Sequence, residues 1–346
     1  VGTGQDGSNM GAYGVGCEAY LGPTWHVSTS GSDNNDGSEE NPFATIQAGI
    51  DESSDGDTVL VSVGTYYENI SFGGNNIVLQ SSAGRDSTII DGINNGRVFT
   101  ISNSNTDTTT LIQGFTIQNG YSGASSNGGG IYIENGASIK LQNCIIKDNT
   151  CTSLGGGYYS YGSSSVIENC IFEGNTAESG SGICLRVDIA TQIRNSEFYD
   201  NIGTSYGSSS IEILHNSTGK QKIINSIFHD EDNFIQTTSV MDDSVLIINC
   251  DFYNSTYRAI DDDNSNYLFI QGCSFTDLTN NDNVGAAIKS AAQVLHIKNC
   301  DFTNISSGSG SGAVLFSDND SIYFEDNLIV DCPNPVGGSN PSLIYL

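Results

Sequence analysis

A six-residue phrase centred on Asn and Cys returns along most of this chain. It reads Leu-Gln-Asn-Cys-Ile-Ile at 141–146, Ile-Glu-Asn-Cys-Ile-Phe at 167–172 and Ile-Lys-Asn-Cys-Asp-Phe at 297–302. Its fourth residue falls at positions 115, 144, 170, 196, 226, 250, 273, 300 and 327, so the steps are 23 to 30 residues. A repeat of this length means that one small unit is copied along an axis. The 346 residues can therefore form one solenoid and need no second core.

Each repeat contains two or three short stretches of alternating apolar and polar residues, separated by turns. In the unit that ends at Cys144, a Gly run precedes the stretch 131–134, Asn135 and Gly136 form a turn, and the stretches 139–141 and 144–146 follow. Such strands need partners for their backbone groups. If the same strand of the next repeat lies about 4.8 Å above, every ladder bond forms around one narrow apolar core. The sequence therefore predicts an all-β parallel β-helix of about nine to eleven coils, with three short strands per coil.

Two positions of the phrase form columns. The first column holds Asn143, Asn169, Asn195, Asn225, Asn249 and Asn299, with Gly272 and Asp326 as variants. The second column holds Cys144, Cys170, Ser196, Ser226, Cys250, Cys273 and Cys300. Asn at a bend tolerates left-handed backbone and can hydrogen-bond along a stack, so a structural ladder is favoured over ligand binding. Ser replaces Cys freely and parallel stacking makes the disulfide dihedral hard to reach, so buried reduced thiols are favoured over disulfide bonds. We expect both columns to lie in the interior.

The charge of the chain excludes two classes of partner. Eleven Lys and Arg residues face 40 Asp and Glu, which gives a formal net charge of -29. Nucleic acid and anionic lipid both require a basic patch, so neither is expected to bind. The acidity indicates either a solvated exterior or cation binding. No apolar run is long enough to insert into a membrane, and abundant Asn, Ser, Thr and Gly with little Lys is typical of an exported protein.

The chain divides into three parts by composition. Residues 1–24 are an irregular, Gly-rich lead-in, residues 25–57 form an N-terminal cap, and residues 58–346 carry the solenoid. Within the cap, Phe43, Ile46 and Ile50 fall on one face of a short amphipathic helix. An apolar strand follows at 58–63.

The cap carries a specific resemblance. The stretches Trp25–Asp33, Asn41–Gln47 and Gly56–Ile70 are similar to the N-terminal cap and first coil of right-handed β-helix repeat proteins in the pectin-lyase-like superfamily, near its chondroitinase-B-like branch. The resemblance covers about 45 residues, and the rest of the chain matches only as generic coils. It implies a right-handed solenoid in a bacterial extracellular or cell-surface protein. The superfamily contains polysaccharide lyases, but many members have no demonstrated chemistry, so the fold does not define an activity.

Both ends of the sequence resemble parts of a longer array. The stretch Asp6–Gly14 resembles the phrase that closes a β-helix unit in such proteins, and here it precedes a cap. The last residues, Ser342–Leu346, have the pattern of the opening strand of another coil. We therefore expect one segment of a longer chain, with the lead-in as the tail of a preceding unit; an ordinary ragged boundary is the alternative.

The resemblance also directs a search for a catalytic site. In the lyases of this fold a carboxylate cluster, often holding calcium, neutralises the acid group of the substrate, and an Arg or Lys removes the α-proton. Counting the register places two outward columns on one sheet. The first reads Tyr132, Tyr159, Cys184, Glu212, Gln236, Asp261, Lys289 and Leu315, and the second reads Glu134, Tyr161, Arg186, Leu214, Thr238 and Asp263. The catalytic candidates are Arg186, Glu212, Arg258, Asp261, Asp263 and Lys289.

These candidates do not form a predicted catalytic site. They are spread over about four coils, or roughly 20 Å at the ladder spacing. Eleven basic residues also make a poor trough for an anionic polysaccharide. Calcium is the one cofactor that the sequence suggests, with Asp261, Asp263, Asp230 and Asp232 as ligand candidates in two acidic turns. Tyr132, Tyr159 and Tyr161 are candidates for stacking on sugar rings, although scattered surface tyrosines explain them as well.

Three functions remain open from the sequence. The first is a non-catalytic, extracellular structural or adhesive solenoid that assembles end to end with copies of itself. The second is a polysaccharide lyase or hydrolase acting on a neutral or cationic glycan. The third is a carbohydrate-binding module that uses the tyrosine face.

Overall fold

The structure is a computed structural model, and it describes residues 22–123, 126–205, 208–214, 219–238, 244–280, 285–308, 312–317, 321–333, 336–337 and 344–345. Residues 1–21 of the predicted lead-in, which include Asp6–Gly14 and Cys17, lie outside the described residues. Most of the stretch Ser342–Leu346 also lies outside them. The chain forms a right-handed parallel β-helix, as the sequence predicted.

Three long faces and one short sheet build the solenoid, and each strand pairs in parallel with its equivalent in the next coil. The strands of the first sheet are Thr24–Val27, Thr58–Val61, Val78–Ser81, Leu111–Gln113, Lys140–Gln142, Val166–Glu168, Gln192–Arg194, Lys220–Ile224, Ser244–Ile248, Tyr267–Gln271, Val294–Lys298, Ser321–Glu325 and Ile344–Tyr345. The strands of the second sheet are Gly64–Tyr67, Thr88–Asp91, Thr116–Gln118, Ile145–Lys147, Ile171–Glu173, Glu197–Tyr199, Ile227–Thr238, Asp251–Asp262, Ser274–Asn280, Asp301–Ser307 and Leu328–Val330.

The third sheet lies next along each coil. Its strands are Ile70–Phe72, Phe99–Ile101, Ile131–Ile133, Tyr158–Tyr161, Ile183–Arg186, Ile211–Leu214, the last part of Ile227–Thr238 and of Asp251–Asp262, Ile288–Ser290, Leu315–Ser317 and Val336–Gly337. A short sheet lies between the second and third sheets, with the strands Tyr121–Ser122, Thr150–Cys151, Thr176–Ala177 and Ile202–Gly203.

The cap joins the solenoid directly, because Thr24–Val27 pairs in parallel with Thr58–Val61 as the first rung of the first sheet. The helix is Ile46–Glu52, shorter than the predicted apolar pattern, since Phe43 lies before it as a buried residue. The side chain of Thr45 caps the helix by accepting from the Ala48 N–H at 3.2 Å. Ile46 and Ile50 face the core.

The core is a set of identical side chains that repeat from coil to coil. On the second sheet, successive phenylalanine rings stack with centroids 4.8 or 4.9 Å apart, in the order Phe172, Phe198, Phe228, Phe252, Phe275 and Phe302. Burial of each such side chain contributes about 1.5–3 kcal/mol. Because the ring spacing matches the separation of paired strands, packing and backbone pairing enforce the same register.

The Asn column adopts the left-handed backbone that its position suggested, but it is not interior. The φ angles of Asn143, Asn169, Asn195, Asn225, Asn249 and Asn299 lie between 51° and 55°. Most of these side chains are exposed at the corner between the first and second sheets, which corrects the predicted burial. Side-chain hydrogen bonds run from Asn225 to Asn195 (3.2 Å) and from Asn249 to Asn225 (3.3 Å).

The Cys column is interior. Cys144, Cys170, Cys250, Cys273 and Cys300 are buried as free thiols, and no described cysteine is in a disulfide bond. Each thiol lies within reach of a backbone carbonyl oxygen, as for Cys144 with the carbonyl of Gln142 at 3.3 Å. The column therefore fills the core at the corner whose outside carries the Asn column.

One predicted register position is wrong. Lys289 pairs with Phe316, and Leu315 pairs with Ile288, so Leu315 faces the core at 1% exposure instead of facing outward. The preceding positions of that outward column pair as the sequence predicted, from Tyr132 to Lys289. Within the described part of the chain, no helix is long and apolar enough to cross a membrane.

Candidate functional site

The solenoid changes cross-section along its length. In the four coils between residues 116 and 214, a connecting segment that includes the short sheet separates the second sheet from the third. The next two coils lack that segment, because Ile227–Thr238 and Asp251–Asp262 run as single strands from one sheet into the other. The resulting step opens a cleft of about 640 Å³, which we call the step cleft. It is lined by Asp200, Asn201, Ile202, Gly203, Ser208, Asp230, Glu231, Asp232, Asn233, Asn254 and Thr256.

A second ladder of amides, inside the solenoid, leads into the step cleft. Asn149 donates its Nδ2–H to Asn175 Oδ1 at 3.0 Å, and Asn175 donates to Asn201 Oδ1 at 2.9 Å. Asn201 donates in turn to Glu231 Oε1 at 2.6 Å. The exposed fractions of the four side chains are between 0% and 8%, so the ladder is buried and Glu231 is its last rung.

Each Asn rung makes a second hydrogen bond that Glu231 can match only when protonated. The Nδ2–H groups of Asn149, Asn175 and Asn201 also donate to backbone carbonyls of the preceding coil, at 3.0, 2.8 and 2.9 Å. A carboxylate has no donor, and Oε2 of Glu231 is buried without a hydrogen-bond partner. Burial raises the pKa of Glu231 to about 8, against the lowering effect of the Asn201 hydrogen bonds. Glu231 therefore carries a proton at neutral pH.

The carboxylates around Glu231 have the opposite character. Asp230 is exposed, and hydrogen bonds from His229 Nδ1 (2.7 Å) and Asn254 Nδ2 (3.2 Å) help to lower its pKa. Asp232 accepts from the Thr256 hydroxyl at 2.5 Å. The cleft thus joins a carboxyl group of raised pKa, Glu231, to one of lowered pKa, Asp230, the difference that separates an acid from a base in glycan hydrolysis.

A second buried acid, Asp188, has hydrogen-bond donors for both of its carboxyl oxygens. It accepts from Ser163 N at 2.9 Å, from Thr191 Oγ1 at 3.0 Å and from Ser160 Oγ. Burial raises its pKa to about 6, and these donors oppose the shift. Both of its oxygens have donors, so Asp188 fills a structural role at an inner corner, whereas Glu231, like Glu212, keeps one buried oxygen without a hydrogen-bond partner.

Four of the predicted catalytic residues do come together, as a closed ion-pair network. Arg258 Nη1 lies 2.6 Å from Asp261 Oδ2, and Lys289 Nζ lies 3.0 Å from Asp261 Oδ1 and 2.9 Å from Asp263 Oδ1. Arg258 and Asp261 are each 5% exposed. Each carboxylate faces a cation and each cation a carboxylate, so the network neutralises its own charge.

The other two catalytic candidates lie apart from the network. Glu212 is separated from Asp261 by the Gln236 rung, and burial raises the pKa of Glu212. Arg186 lies on the neighbouring column, with its guanidinium 5.9 Å from the centre of the Tyr161 ring. The predicted six-residue patch is therefore not one site.

The calcium candidates do not form a calcium cage. Lys289 places its ammonium group between Asp261 and Asp263, where a cation bound by both would lie. Asp230 and Asp232 bond to neighbouring side chains on the wall of the step cleft. Across the described residues, no group of three or more His, Cys, Asp and Glu side chains could hold a metal ion. Calcium binding stays a prediction.

The tyrosine candidates cannot act together as a sugar-stacking platform. The Tyr132 ring has the Arg97 guanidinium 3.8 Å from its centre and lies parallel to Tyr159 at 5.4 Å. Tyr159 is only 2% exposed. Tyr132 is half-buried, and Tyr161, at 44%, is the most exposed of the three. Stacking on Tyr132 and Tyr159 is therefore ruled out in this conformation.

The sequence analysis missed the inner ladder, although its signal is present. Asn149, Asn175, Asn201 and Glu231 each follow the Cys or Ser of the repeat phrase by five residues. A column of Asn that ends in Glu at a buried position indicates a carboxyl that replaces an amide. The acidic turn predicted at 229–233 is wrong, because these residues belong to the strand Ile227–Thr238, which carries the last rung of the column.

Comparison with known proteins supports the fold and does not establish a function. No protein-family model matches the chain, and no curated protein is similar to it. Among solved structures, the pectate lyase Pel9A matches with a TM-score of 0.53 and 14% identity over 88% of this chain and 79% of that one. A rhamnogalacturonan lyase (TM-score 0.41, 15% identity, 90% and 74% covered) and a GH136 lacto-N-biosidase from Eubacterium ramulus (0.39, 10%, 94% and 68%) also match. The chain thus has the fold of the pectin-lyase-like parallel β-helices.

Proposed function

We propose that this chain is a non-catalytic, extracellular β-solenoid with a structural or adhesive role in a surface protein or fibre. The observation that carries the proposal is the continuous first sheet, in which described strands from Thr24–Val27 to Ile344–Tyr345 pair one above the next. Such a stack is a straight, stiff rod whose faces repeat at the strand spacing.

The state of the charged groups supports the same proposal. The cations that a lyase would use against an acidic sugar are tied to Asp261 and Asp263 at 2.6–3.0 Å, so neither Arg258 nor Lys289 is available as a base. The net charge of -29 keeps a long rod soluble outside a cell and repels other polyanions over most of its surface. The extracellular location is part of the proposal.

The experiment is a turnover screen with the purified chain. Panels of neutral, acidic and amino glycans are incubated with and without calcium, and new unsaturated ends and new reducing ends are counted. We expect neither product above a heat-denatured control, and extended particles by electron microscopy. Turnover that disappears in Lys289→Met but persists in the matched surface variant Lys298→Met would overturn the proposal in favour of a lyase.

A glycoside hydrolase centred on the step cleft is the second candidate, because of Glu231. In that reaction a protonated carboxylic acid donates to the glycosidic oxygen while an ionised carboxylate attacks or activates water. Glu231 has the raised pKa of the acid, and Asp230 has the lowered pKa of the base. Release of reducing ends that is lost in Glu231→Gln and retained in the exposed control Glu40→Gln would establish it.

A further inference from the structure

The basic residues of this acidic chain are concentrated on one face. Of the eleven Lys and Arg residues, five project outward from strands of the first sheet: Lys140, Arg194, Lys220, Lys222 and Lys298. The outward acidic residues of those strands are Glu168 and Glu325. Both are already paired, Glu168 with Lys140 (3.2 Å) and Arg194 (3.1 Å), and Glu325 with Lys298 (3.0 Å). The first sheet is thus a net positive surface on a molecule of charge -29.

The same face carries apolar and aromatic side chains that the core does not use. They lie on consecutive coils at half-buried or exposed outward positions: Ile224, Leu246, Ile248, Tyr267, Phe269 and Tyr323. His296 links the last two coils, with its ring 5.2 Å from Phe269 and 5.4 Å from Tyr323. A contiguous apolar patch that is bordered by charges is typical of an interaction surface.

The second sheet offers the complementary surface. Its outer corner carries exposed aspartates in left-handed conformation, one per coil at five coils: Asp148, Asp200, Asp230, Asp277 and Asp331. Outward residues of its strands add Glu173, Glu197, Asp251 and Asp301. The described strands of this sheet before its merger with the third contribute one outward Lys, Lys147.

The positive and negative surfaces repeat at the same interval, because both arise from the same coils. Neighbouring rows of either surface are separated by the spacing of paired strands, about 4.8 Å. Two copies lying side by side with parallel axes can therefore match row to row along several coils. Salt at physiological strength limits the general repulsion between two acidic rods to about 8 Å, so the local charge pattern governs the contact.

We infer that the outer face of the first sheet binds a second copy of this chain, through the acidic outer face of the second sheet of that copy. The two faces are different surfaces, so the side-by-side contact is heterologous and can continue from copy to copy as a lateral array. This inference rests on the proposed structural function and names the partner that such a rod would have.

The test compares two charge reversals in the full chain. Lys222→Glu reverses a cation at the centre of the first sheet, and Lys147→Glu makes the same charge change on the second sheet. Self-association is measured by sedimentation equilibrium at physiological salt over a range of protein concentrations. We expect the wild type to associate, Lys222→Glu to weaken association at least tenfold, and Lys147→Glu to leave it unchanged or strengthen it. Circular dichroism and thermal unfolding confirm that both variants are folded.

Three outcomes would overturn the inference. The wild type remains monomeric at all concentrations, or both reversals change association equally, or polygalacturonate binds in a Lys222-dependent manner while the protein does not self-associate. The last outcome assigns the face to an anionic polymer. Glycan turnover is a separate readout, so failure of the proposed function is distinguishable from failure of this contact.

Discussion

Replacing Glu231 by Gln tests the inner ladder most directly. Gln cannot ionise, and its side-chain amide supplies the donor that the Asn rungs use. The ordinary pKa of Glu is 4.5, and that of buried Glu231 is about 8. The folded state therefore holds the proton more tightly than the unfolded state, and the free energy of unfolding falls as the pH rises from about 4.5 to about 8. Each unit of difference between the folded and unfolded pKa corresponds to about 1.4 kcal/mol, so the free energy of unfolding should fall by roughly 5 kcal/mol over this pH range.

The assay is urea unfolding of wild type and Glu231→Gln at pH 5 and pH 9. Near pH 5 the two proteins should differ little in stability, because Glu231 is protonated in the folded wild type and is still about one quarter protonated when unfolded. At pH 9 the variant should be more stable by several kcal/mol, with roughly 5 as the upper value. Glu40→Gln, at an exposed cap position, should show no such pH-dependent gain. An equal stability difference between wild type and Glu231→Gln at both pH values would refute the assigned protonation.

Four further experiments test the packing and the corners. Arg258→Leu leaves Asp261 buried with half of its partners and should destabilise the fold by about 3 kcal/mol in urea unfolding, whereas Lys298→Met, at an exposed ion pair, should leave the stability almost unchanged. Phe228→Ala removes the middle of the ring stack and should cost about 3–5 kcal/mol, with the largest loss of hydrogen-exchange protection in the neighbouring coils. Asn195→Ala places a β-carbon without a compensating amide at φ 52° and should cost about 1–2 kcal/mol, while Asn195→Gly should be nearly neutral. The buried thiols should react with a thiol reagent only after unfolding; rapid modification of Cys250 or Cys273 in the native state would contradict the interior column.

The repeat phrase was sufficient to predict the solenoid, because period and strand alternation determine which residues stack. It also predicted the left-handed Asn corner, since few residues other than Asn and Gly adopt that backbone at low energy. The sequence did not show which of the two columns lies inside the corner and which lies outside. Asn143 and Cys144 are adjacent, and only the three-dimensional bend shows that one points out and the other in.

The candidate site could be predicted only in part. Register counting aligned Asp261 with Lys289, but it gave no indication that Arg258 would reach the same carboxylate from three residues away. It failed at Leu315, which pairs with Ile288 and not with Lys289, so the count was wrong by one residue. The step cleft depends on two coils that omit a connecting segment. These coils have the two shortest steps between repeats, 24 and 23 residues, so their position is visible in the sequence, but the step length does not show which connection of the coil is shortened.

The step also divides the solenoid into coils that can accept added sequence and coils that cannot. At Thr152 and Glu178, exposed residues between the short sheet and the third sheet, insertions would leave the strands of the three long sheets in place. Through Ile227–Thr238 and Asp251–Asp262 the backbone is committed to pairing at nearly every residue. A peptide grafted for display belongs at the former corners, and the continuous strands beside them provide a fixed reference from which its position can be measured.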